Sequence, residues 1–324
     1  MGLKSRFLEI ASHHGVESGA AEGAYVVARH FIRQAQDYYF AARAASATSA
    51  PLLQYYGILN LAKFALAATC PEKVKQRRQL QHGLRVEGDA SPPQAARLIA
   101  SEGIFSTLTE QLVEEPPASS LSVDELLART IDVAAEYVRA WKKPIRSTIG
   151  VITSRADDGT KWWIVVDVQA TSLVPDASAI EYTGSPLKYE FRQVVSNVPS
   201  LLRFESNVDA PAADDPVLRK LVRRLRPSLS SGEYKEQGWP TPWRVVQLPY
   251  RLPGGKPPLP EMSTIYAVSF YLADIVRYHP NILADDSTST DPWVLESFAR
   301  SGPAKFARLA LNYLMAGDIR MEQT

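Results

Sequence analysis

The sequence predicts an α+β fold that is predominantly α-helical, with helical N- and C-terminal parts packed together and a small β-containing middle region. Apolar residues recur at helical spacing in both end regions. Runs of β-branched and aromatic residues, separated by turn residues, follow Pro144. We therefore predict a helical region at 1–143, a β-containing region at 144–260 and a C-terminal helical region at 261–324.

The first helices are predicted from their apolar spacing and from proline. Residues 1–23 are small and polar, and we expect them to lead into the fold. A first long helix is expected from about Ala24 to Ala47, and a second from Pro51 to about Thr69. Proline suits the first turn of a helix because no N–H is needed there, and Pro71 favours an end to the second helix.

Two further helices are predicted in the N-terminal region. Pro92 and Pro93 are expected to begin a short helix that reaches about Ala100. Ser122 followed by Glu125 has the spacing of a capping box, in which each side chain bonds a free backbone N–H. We therefore expect one amphipathic helix over Val123–Trp141.

The middle region carries the strand signals. Ile145–Ser154 and Lys161–Gln169 flank turn-forming residues and predict a β-hairpin. Further strands are expected near Glu190–Val195 and Arg244–Leu248. Helical spacing then returns in two long stretches that we expect to pack on the first helices, Met262–His279 and Trp293–Met315.

Composition excludes several classes of protein. The chain has 324 residues, 45% of them hydrophobic and 22% charged, which is ordinary for a globular protein. A balance of 36 basic and 35 acidic side chains gives a net charge of +1 and no bulk argument for nucleic-acid or membrane binding. Because Cys70 is the single cysteine and the charged start has no apolar run, we expect a cytoplasmic protein without signal peptide. We expect no cofactor and no metal, since the chain has neither a phosphate-binding glycine loop nor a metal-ligand spacing.

The first candidate site is a polar seam on the two N-terminal helices. Its members recur at three- or four-residue spacing within each helix, so each set can share one face. Facing one another, they would form a cationic pocket for a phosphate or carboxylate. The binding residues proposed are Arg29, Arg33, Tyr56, Asn60 and Lys63.

The C-terminal helices could complete this pocket. Arg277 and His279 are expected to close it from the end of a helix. In the alternative interpretation these polar groups are solvated, or they pair with Asp37 and Asp274 as structural ion pairs.

A basic amphipathic helix is the second candidate. Asp214 and Asp215 can cap a helix that begins at Pro216. Such a helix could contact a partner protein, a nucleic acid or an anionic membrane surface, or it could be a surface helix whose long side chains cover the core. Its basic residues within Arg219–Arg226 are Arg219, Lys220, Arg223, Arg224 and Arg226.

The third candidate is an aromatic loop. Trp239 and Trp243 lie among proline and glycine residues. They could form a stacking platform or a protein-binding surface, or a rigid loop could bury both rings.

Several short motifs are spread over most of the chain. They are Gln34-Ala35 with Tyr38, Pro51-Leu52-Leu53, Tyr55-Tyr56-Gly57-Ile58-Leu59-Asn60-Leu61-Ala62-Lys63, His82-Gly83-Leu84, Gly103-Ile104-Phe105 and Arg277-Tyr278-His279-Pro280. In their order and spacing these motifs resemble the YaaC-like family of bacterial proteins. The family has no established catalytic chemistry, and some members look like the sensing partner of a second, effector protein in anti-phage defence modules.

The second helix is also similar to a helix of the HEPN superfamily, which includes ribonucleases, toxins and non-catalytic relatives. Arg77 and His82 have an Arg-x4-His spacing that HEPN ribonucleases use. There the histidine acts on the 2′-hydroxyl and the arginine stabilises the charged phosphate. A structural turn at His82 is the simpler interpretation, and Arg277 with His279 is a second catalytic alternative.

The polar seam, the basic helix and the aromatic loop predict a non-enzymatic recognition or sensor component. The resemblance implies that it belongs to a bacterial anti-phage defence module and acts through a partner effector protein. A phage component, a nucleic acid or an anionic surface of the inner membrane could be the recognised partner. The alternatives are a HEPN-like, metal-independent ribonuclease and a housekeeping helical protein with a purely structural polar seam.

Overall fold

The computed structural model describes residues 2–88, 92–113, 116–157, 161–169, 191–195, 201–212, 215–218, 229–230, 244–249, 259–283 and 289–314. Backbone contacts divide the chain into two units. One contains Met1–Ile145 and Glu261–Gly317, and the other contains Arg146–Pro260 and Asp318–Thr324. The described part of the first unit is mostly helical and that of the second is mostly β-strand, which confirms the predicted α+β, mainly helical class.

The long helices at the two ends of the chain confirm the helical predictions there. Among the described helices, none combines the length and apolar character that crossing a membrane requires. The α-helices of the first unit are α1 Leu3–His13, α2 Ser18–Ala44, α3 Ala50–Thr69, α4 Ile104–Val113, α5 Val123–Ala128, α6 Ala134–Trp141, α7 Glu261–Tyr278 and α8 Asp291–Leu314.

The prediction that residues 1–23 only lead into the fold was wrong. They contain α1 and the start of α2. Phe7 is fully buried, and its ring centroid lies 5.5 Å from that of Tyr25 and 5.6 Å from that of Phe64. Together with Ile10 and Ala11 it forms a buried stripe at helical spacing. This stripe is short and surrounded by polar residues, so its apolar signal is weak.

The single helix predicted over Val123–Trp141 was also wrong. The chain forms α5, a 3-10 turn at Ile131–Val133 and then α6. The break occurs at Thr130, whose backbone is extended and whose hydroxyl donates to the Leu126 carbonyl at 3.0 Å. Of the predicted capping box, the Ser122 contact is confirmed, because the Glu125 N–H donates to the Ser122 hydroxyl at 3.4 Å.

A strand replaces the helix predicted near residues 92–100. β1 Leu84–Val86, β2 Arg97–Ala100 and β3 Ser120–Ser122 form an antiparallel three-stranded sheet with β2 in the centre. Leu98 on β2 is fully buried, whereas Arg97 is exposed. Pairing on both edges of this short segment therefore outweighs its helical start signal.

α3 is the central helix of the first unit. α2 packs along it through small buried side chains at seven-residue spacing, Ala21, Ala28, Ala35 and Ala42. This spacing keeps one narrow stripe facing the neighbouring helix and lets the two backbones approach closely. α7 and α8 also pack on α3, as the sequence predicted for the C-terminal helices.

Two glycines allow two loops of the first unit to touch. Gly83 and Gly103 have positive φ angles of 80° and 148°, which L side chains rarely adopt. The Ser101 N–H donates to the Gly83 carbonyl at 3.0 Å, and the Ile104 N–H donates to the Gln81 carbonyl at 2.8 Å. The turn before β1 is therefore fixed against the start of α4.

A buried ion triad connects three parts of the first unit. Lys305 on α8 is 5% exposed, pairs with Asp132 at 2.5 Å and also pairs with Glu261 at the start of α7. Burial raises the pKa of Glu261 to about 7, although the neighbouring Lys305 opposes this shift.

The second unit contains a six-stranded antiparallel sheet in the order β6-β7-β5-β4-β9-β8. The predicted hairpin is confirmed, since Asp157 on β4 pairs with Lys161 on β5. The strands predicted near β6 and β9 are also confirmed, whereas β7 and β8 were not foreseen. The strands are β4 Ser147–Asp157, β5 Lys161–Gln169, β6 Phe191–Val194, β7 Leu201–Ser206, β8 Leu229–Ser230 and β9 Arg244–Pro249.

Gly103→Ala tests the close approach of the two loops. A Cβ at this position would lie 2.6 Å from the Gln81 carbonyl oxygen and 2.8 Å from the Gly83 Cα. We expect a loss of about 2 kcal/mol or more in the free energy of unfolding, measured by urea denaturation. Gly88→Ala is the matched control, because Gly88 also has a positive φ but has nothing within 4 Å of its Cβ position, and it should cost about 1 kcal/mol. Equal losses in the two variants would contradict the packing argument.

Lys305→Met tests the buried triad. The substitution leaves Glu261 and Asp132 without their cation, so we expect a loss of about 3–5 kcal/mol in the free energy of unfolding. Lys4→Met, which removes an exposed pair with Glu22, should change it by less than about 1 kcal/mol. A further Glu261→Gln substitution in the Lys305→Met protein should recover part of the loss.

The raised pKa of Glu261 also gives stability a pH dependence. The folded protein binds this proton more tightly than the unfolded chain, because the pKa rises from 4.5 to about 7 on folding. The stabilising contribution of this group is therefore complete below about pH 4.5 and lost as the pH rises to about 7. Thermal unfolding between these pH values should show a smaller fall in Tm with rising pH for Glu261→Gln than for the wild type. Identical slopes would contradict this assignment.

Candidate functional site

Polar and aromatic side chains from four parts of the first unit meet near the C-terminal end of α7. Arg277 on α7 bonds Tyr56 on α3, and the charges of Lys63, Arg277 and Asp274 act on His82 in the turn before β1. Asp274 in turn interacts with His279. We call the following residues the polar cluster: Tyr38, Tyr56, Lys63, His82, Asp274, Arg277 and His279.

Two neighbouring tyrosines on α3 divide the cluster from the core. Tyr55 is 4% exposed, and its ring packs edge-on against Tyr266 and Phe270 at centroid distances of 5.8 and 5.6 Å. Tyr56 is half-buried and stacks on Tyr38 of α2 at 5.2 Å, with 28° between the ring planes. The Tyr56 ring is therefore held between helices.

Arg277 lies at the exposed edge of the cluster. Its Nη2 donates a hydrogen bond to the Tyr56 hydroxyl. The guanidinium carbon is 5.6 Å from the Tyr56 ring centroid and 5.5 Å from that of Tyr278, which is 61% exposed. Two rings therefore flank the cation and restrict its orientation.

The cations of the cluster have no carboxylate partner in the part of the chain that the structure describes. Neither Lys63 nor Arg277 forms an ion pair there with Asp37, Asp274 or another acid. Lys63 instead places its Nζ 5.6 Å from the Phe31 ring centroid, and burial lowers its pKa. The pairing with Asp37 and Asp274 is therefore not formed by these two cations in the described structure.

His82 is held in one orientation and one tautomer. Its Nδ1 accepts a hydrogen bond from the Leu84 N–H at 3.2 Å, so the proton of the neutral ring is on Nε2. The ring packs on Phe270 at 5.0 Å, and the carbonyl accepts from the Tyr266 hydroxyl at 3.0 Å and the Phe105 N–H at 3.1 Å. Nε2 has no hydrogen-bond partner among the described residues, so its N–H remains available as a donor.

Burial and two neighbouring cations lower the pKa of His82. Burial is the largest cause, and Arg277 and Lys63 lower the pKa further, while the Asp274 carboxylate acts in the opposite direction. Burial also raises the pKa of Asp274, although His279, Arg277 and His82 oppose that shift. With the cations of Lys63 and Arg277 and the one carboxylate of Asp274, the cluster is complementary to an anion.

Three residues of the predicted seam, Arg29, Arg33 and Asn60, do not belong to the polar cluster. Arg29 and Arg33 are exposed on α2 and form no hydrogen bond or ion pair with the polar cluster in the described structure. Asn60 is 5% exposed, and its Nδ2 donates to the Tyr56 carbonyl one turn earlier at 2.9 Å. Its amide thus bonds the backbone of α3.

Several candidate residues lie outside the described part of the chain. The Arg77 backbone begins a 3-10 turn, Arg77–Leu80, but its side chain is outside the description. Asp215 accepts from the Val217 N–H at 2.8 Å, as expected of the residue before a helix. The residues Arg219, Lys220, Arg223, Arg224, Arg226, Trp239 and Trp243 lie outside the described residues.

The sequence indicates only in part that residues from several short motifs meet in the polar cluster. Sequence reasoning treated His82 and Arg277 as separate alternatives and did not place Phe270 at a site. The described residues contain no group of three or more His, Cys, Asp or Glu that could hold a metal ion. The signal was the order of the short motifs, four of which contribute to the cluster or hold it: Tyr55-Tyr56-Gly57, His82-Gly83-Leu84, Gly103-Ile104-Phe105 and Arg277-Tyr278-His279-Pro280.

These features define a mainly helical α+β protein with a cationic and aromatic cluster in its helical unit. The chain belongs to the YaaC-like family, because the family model described as YaaC-like Protein matches residues 4–314. This confirms the resemblance inferred from the motifs. Comparison with curated proteins and comparison with solved structures gave no match.

The environment of His82 can be tested by NMR titration. We expect its titration midpoint below the ordinary value of 6.5 and a ring proton on Nε2. Arg277→Gln should raise the midpoint without restoring 6.5, because burial is the larger cause, and Asp274→Asn should lower it. A midpoint at or above 6.5, or a proton on Nδ1, would contradict the assigned geometry.

Proposed function

We propose that this protein is a non-enzymatic recognition component that binds a negatively charged group at the polar cluster and acts through a partner effector protein in bacterial anti-phage defence. The observation that carries the proposal is the charge surplus of the cluster. Lys63 and Arg277 come from different helices, and neither is neutralised by an ion pair in the described structure. Lys63 lies near the Phe31 ring, and Arg277 lies between the rings of Tyr56 and Tyr278.

A bound anion would stabilise the cations of the cluster through charge-assisted hydrogen bonds. A guanidinium flanked by two rings has lost part of its hydration, and a hydrogen bond to an ionised partner is worth more than one between neutral groups. Because Tyr56 and Tyr278 already restrict Arg277, little further side-chain entropy is lost when a ligand binds. The cluster is therefore suited to recognition.

The state of His82 favours binding over catalysis. A general base needs a free lone pair, and the lone pair on Nδ1 of His82 accepts the Leu84 N–H. The other nitrogen carries the proton in the neutral ring, so it can donate a hydrogen bond but cannot take up a proton. His82 therefore supports an anion-binding role.

The defence context and the effector partner rest on the resemblance to YaaC-like sensing proteins. The basic residues Arg219, Arg223 and Arg224 and the aromatic residues Trp239 and Trp243 remain proposed contacts for that partner, for a nucleic acid or for an anionic membrane surface. A cytoplasmic location remains part of this proposal.

The test is phage challenge of cells that carry the protein with its neighbouring genes. The double variant Lys63→Gln/Arg277→Gln should reduce protection by about tenfold or more, because each charge-assisted contact is worth about 1.5–3 kcal/mol. Arg29→Gln/Arg33→Gln removes the same charge from exposed positions of α2 and should protect as the wild type does. Equal protection by both variants, at equal protein levels and Tm, would overturn the proposal.

A HEPN-like ribonuclease is the second candidate, because His82, His279 and Arg277 lie in one cluster. Purified protein should not cleave RNA in the presence of a metal chelator. Cleavage that is lost in His82→Ala or His279→Ala would replace recognition by catalysis as the function.

A further inference from the structure

The polar cluster also indicates the chemical class of its ligand. Resting on the proposed function, we propose that the polar cluster binds a small nucleoside phosphate. Its phosphate would contact Arg277, Lys63 and the Nε2–H of His82, and its base would stack on the exposed ring of Tyr278.

The positions of the donors favour a phosphate over a carboxylate. Lys63 is on α3, His82 is in the turn before β1, and Arg277 is at the end of α7. These groups approach from three separate elements. A tetrahedral phosphate presents oxygens in several directions, whereas a carboxylate presents two oxygens in one plane.

His82 adds a neutral donor to these two cations. Its Nδ1 bond to Leu84 and its packing on Phe270 direct an N–H that has no partner in the described structure. A neutral donor can approach Lys63 and Arg277 without adding a third positive charge. The same nitrogen can therefore contact a phosphate oxygen that the cations have attracted.

The aromatic residues favour a ligand that contains a ring. Tyr278 is 61% exposed, and its ring lies 5.5 Å from the Arg277 guanidinium. A cation and an exposed aromatic surface at this separation match the two parts of a nucleotide, which are the charged phosphate and the planar base.

A small ligand fits the number of charges better than an extended strand does. Single-stranded RNA or DNA is bound along a track of basic residues that follows its backbone. The cluster provides two cations, Lys63 and Arg277, and Asp274 lies on the last turns of α7, where its carboxylate interacts with Arg277. This arrangement suits one phosphorylated end.

The experiment is isothermal titration of the full chain with ADP, GDP, UDP and CDP, and separately with adenosine, inorganic phosphate and a single-stranded RNA. At least one nucleoside diphosphate should bind more tightly than its parts, and Arg277→Gln should weaken this binding about tenfold or more. Tyr278→Leu should bring the affinity close to that of inorganic phosphate. Arg33→Gln on α2 is the control and should bind as the wild type does.

Two substitutions of His82 distinguish its structural hydrogen bond with Leu84 from its proposed contact with the ligand. Asparagine keeps an acceptor near the Nδ1 position for the Leu84 N–H, but it has no group near Nε2. Glutamine places an amide N–H near Nε2. His82→Asn should therefore lose more affinity than His82→Gln. Both variants lose the ring that packs on Phe270, so their Tm values should be similar to each other.

The outcomes also separate this inference from the proposed function. If no nucleoside diphosphate binds, or if binding ignores Arg277, the nucleotide assignment is overturned. Loss of protection in Lys63→Gln/Arg277→Gln would then still support recognition of another anion. Tighter binding of RNA than of every diphosphate would also overturn the small-ligand assignment. If a diphosphate binds as described but the Lys63→Gln/Arg277→Gln variant protects normally, the ligand class stands and the proposed role in defence falls.

Discussion

The packing of α3 on several sides is the constraint on which the helical unit depends. α2, α7 and α8 all contact this helix, and most of its residues from Tyr55 to Thr69 are buried. α2 can approach α3 closely because it presents alanines to it. Gly57 on α3 also leaves room for the Tyr39 ring of α2, because a Cβ at residue 57 would lie only 3.0 Å from that ring. Among the polar side chains of α3, Asn60 bonds its own backbone, whereas Lys63 and Tyr56 are half-buried and belong to the polar cluster.

The polar cluster lies where the end of α7 and the turn before β1 meet α3. α7 ends beside Tyr56, and the turn at His82 is held there by contacts that contain no charged side chain. The Ile104 N–H fixes the Gln81 carbonyl, while the Phe105 N–H and the Tyr266 hydroxyl fix the His82 carbonyl. The close contact of Gly83 with Gly103 thus positions a residue that could contact a ligand, although neither glycine has a side chain to contribute.

The sequence predicted much of this architecture but little of the site geometry. Long apolar repeats gave α3, α7 and α8, and the turn between two β-branched runs gave the β4–β5 hairpin. Shorter elements were missed where tertiary contacts outweigh local signals, as in α1, whose stability comes from Phe7 packing on Tyr25 and Phe64. The seam was predicted from spacing alone, which cannot tell an exposed Arg33 from an enclosed Lys63. The Lys305–Glu261–Asp132 triad joins residues too distant in sequence for any spacing rule.

Different forms of charge neutralisation distinguish the triad from the polar cluster. In the triad, Lys305 is buried with two carboxylates, so the ionic groups satisfy one another inside the protein. In the cluster, Lys63 is half-buried near the Phe31 ring, Arg277 is exposed between two tyrosine rings, and neither forms an ion pair with Asp274 in the described structure. Burial costs both Lys305 and Lys63 part of their hydration, but of these two lysines only Lys305 has a carboxylate partner among the described residues. The polar cluster lies at the surface of the helical unit, where water can hydrate its cations or an anionic ligand can supply the missing negative charge.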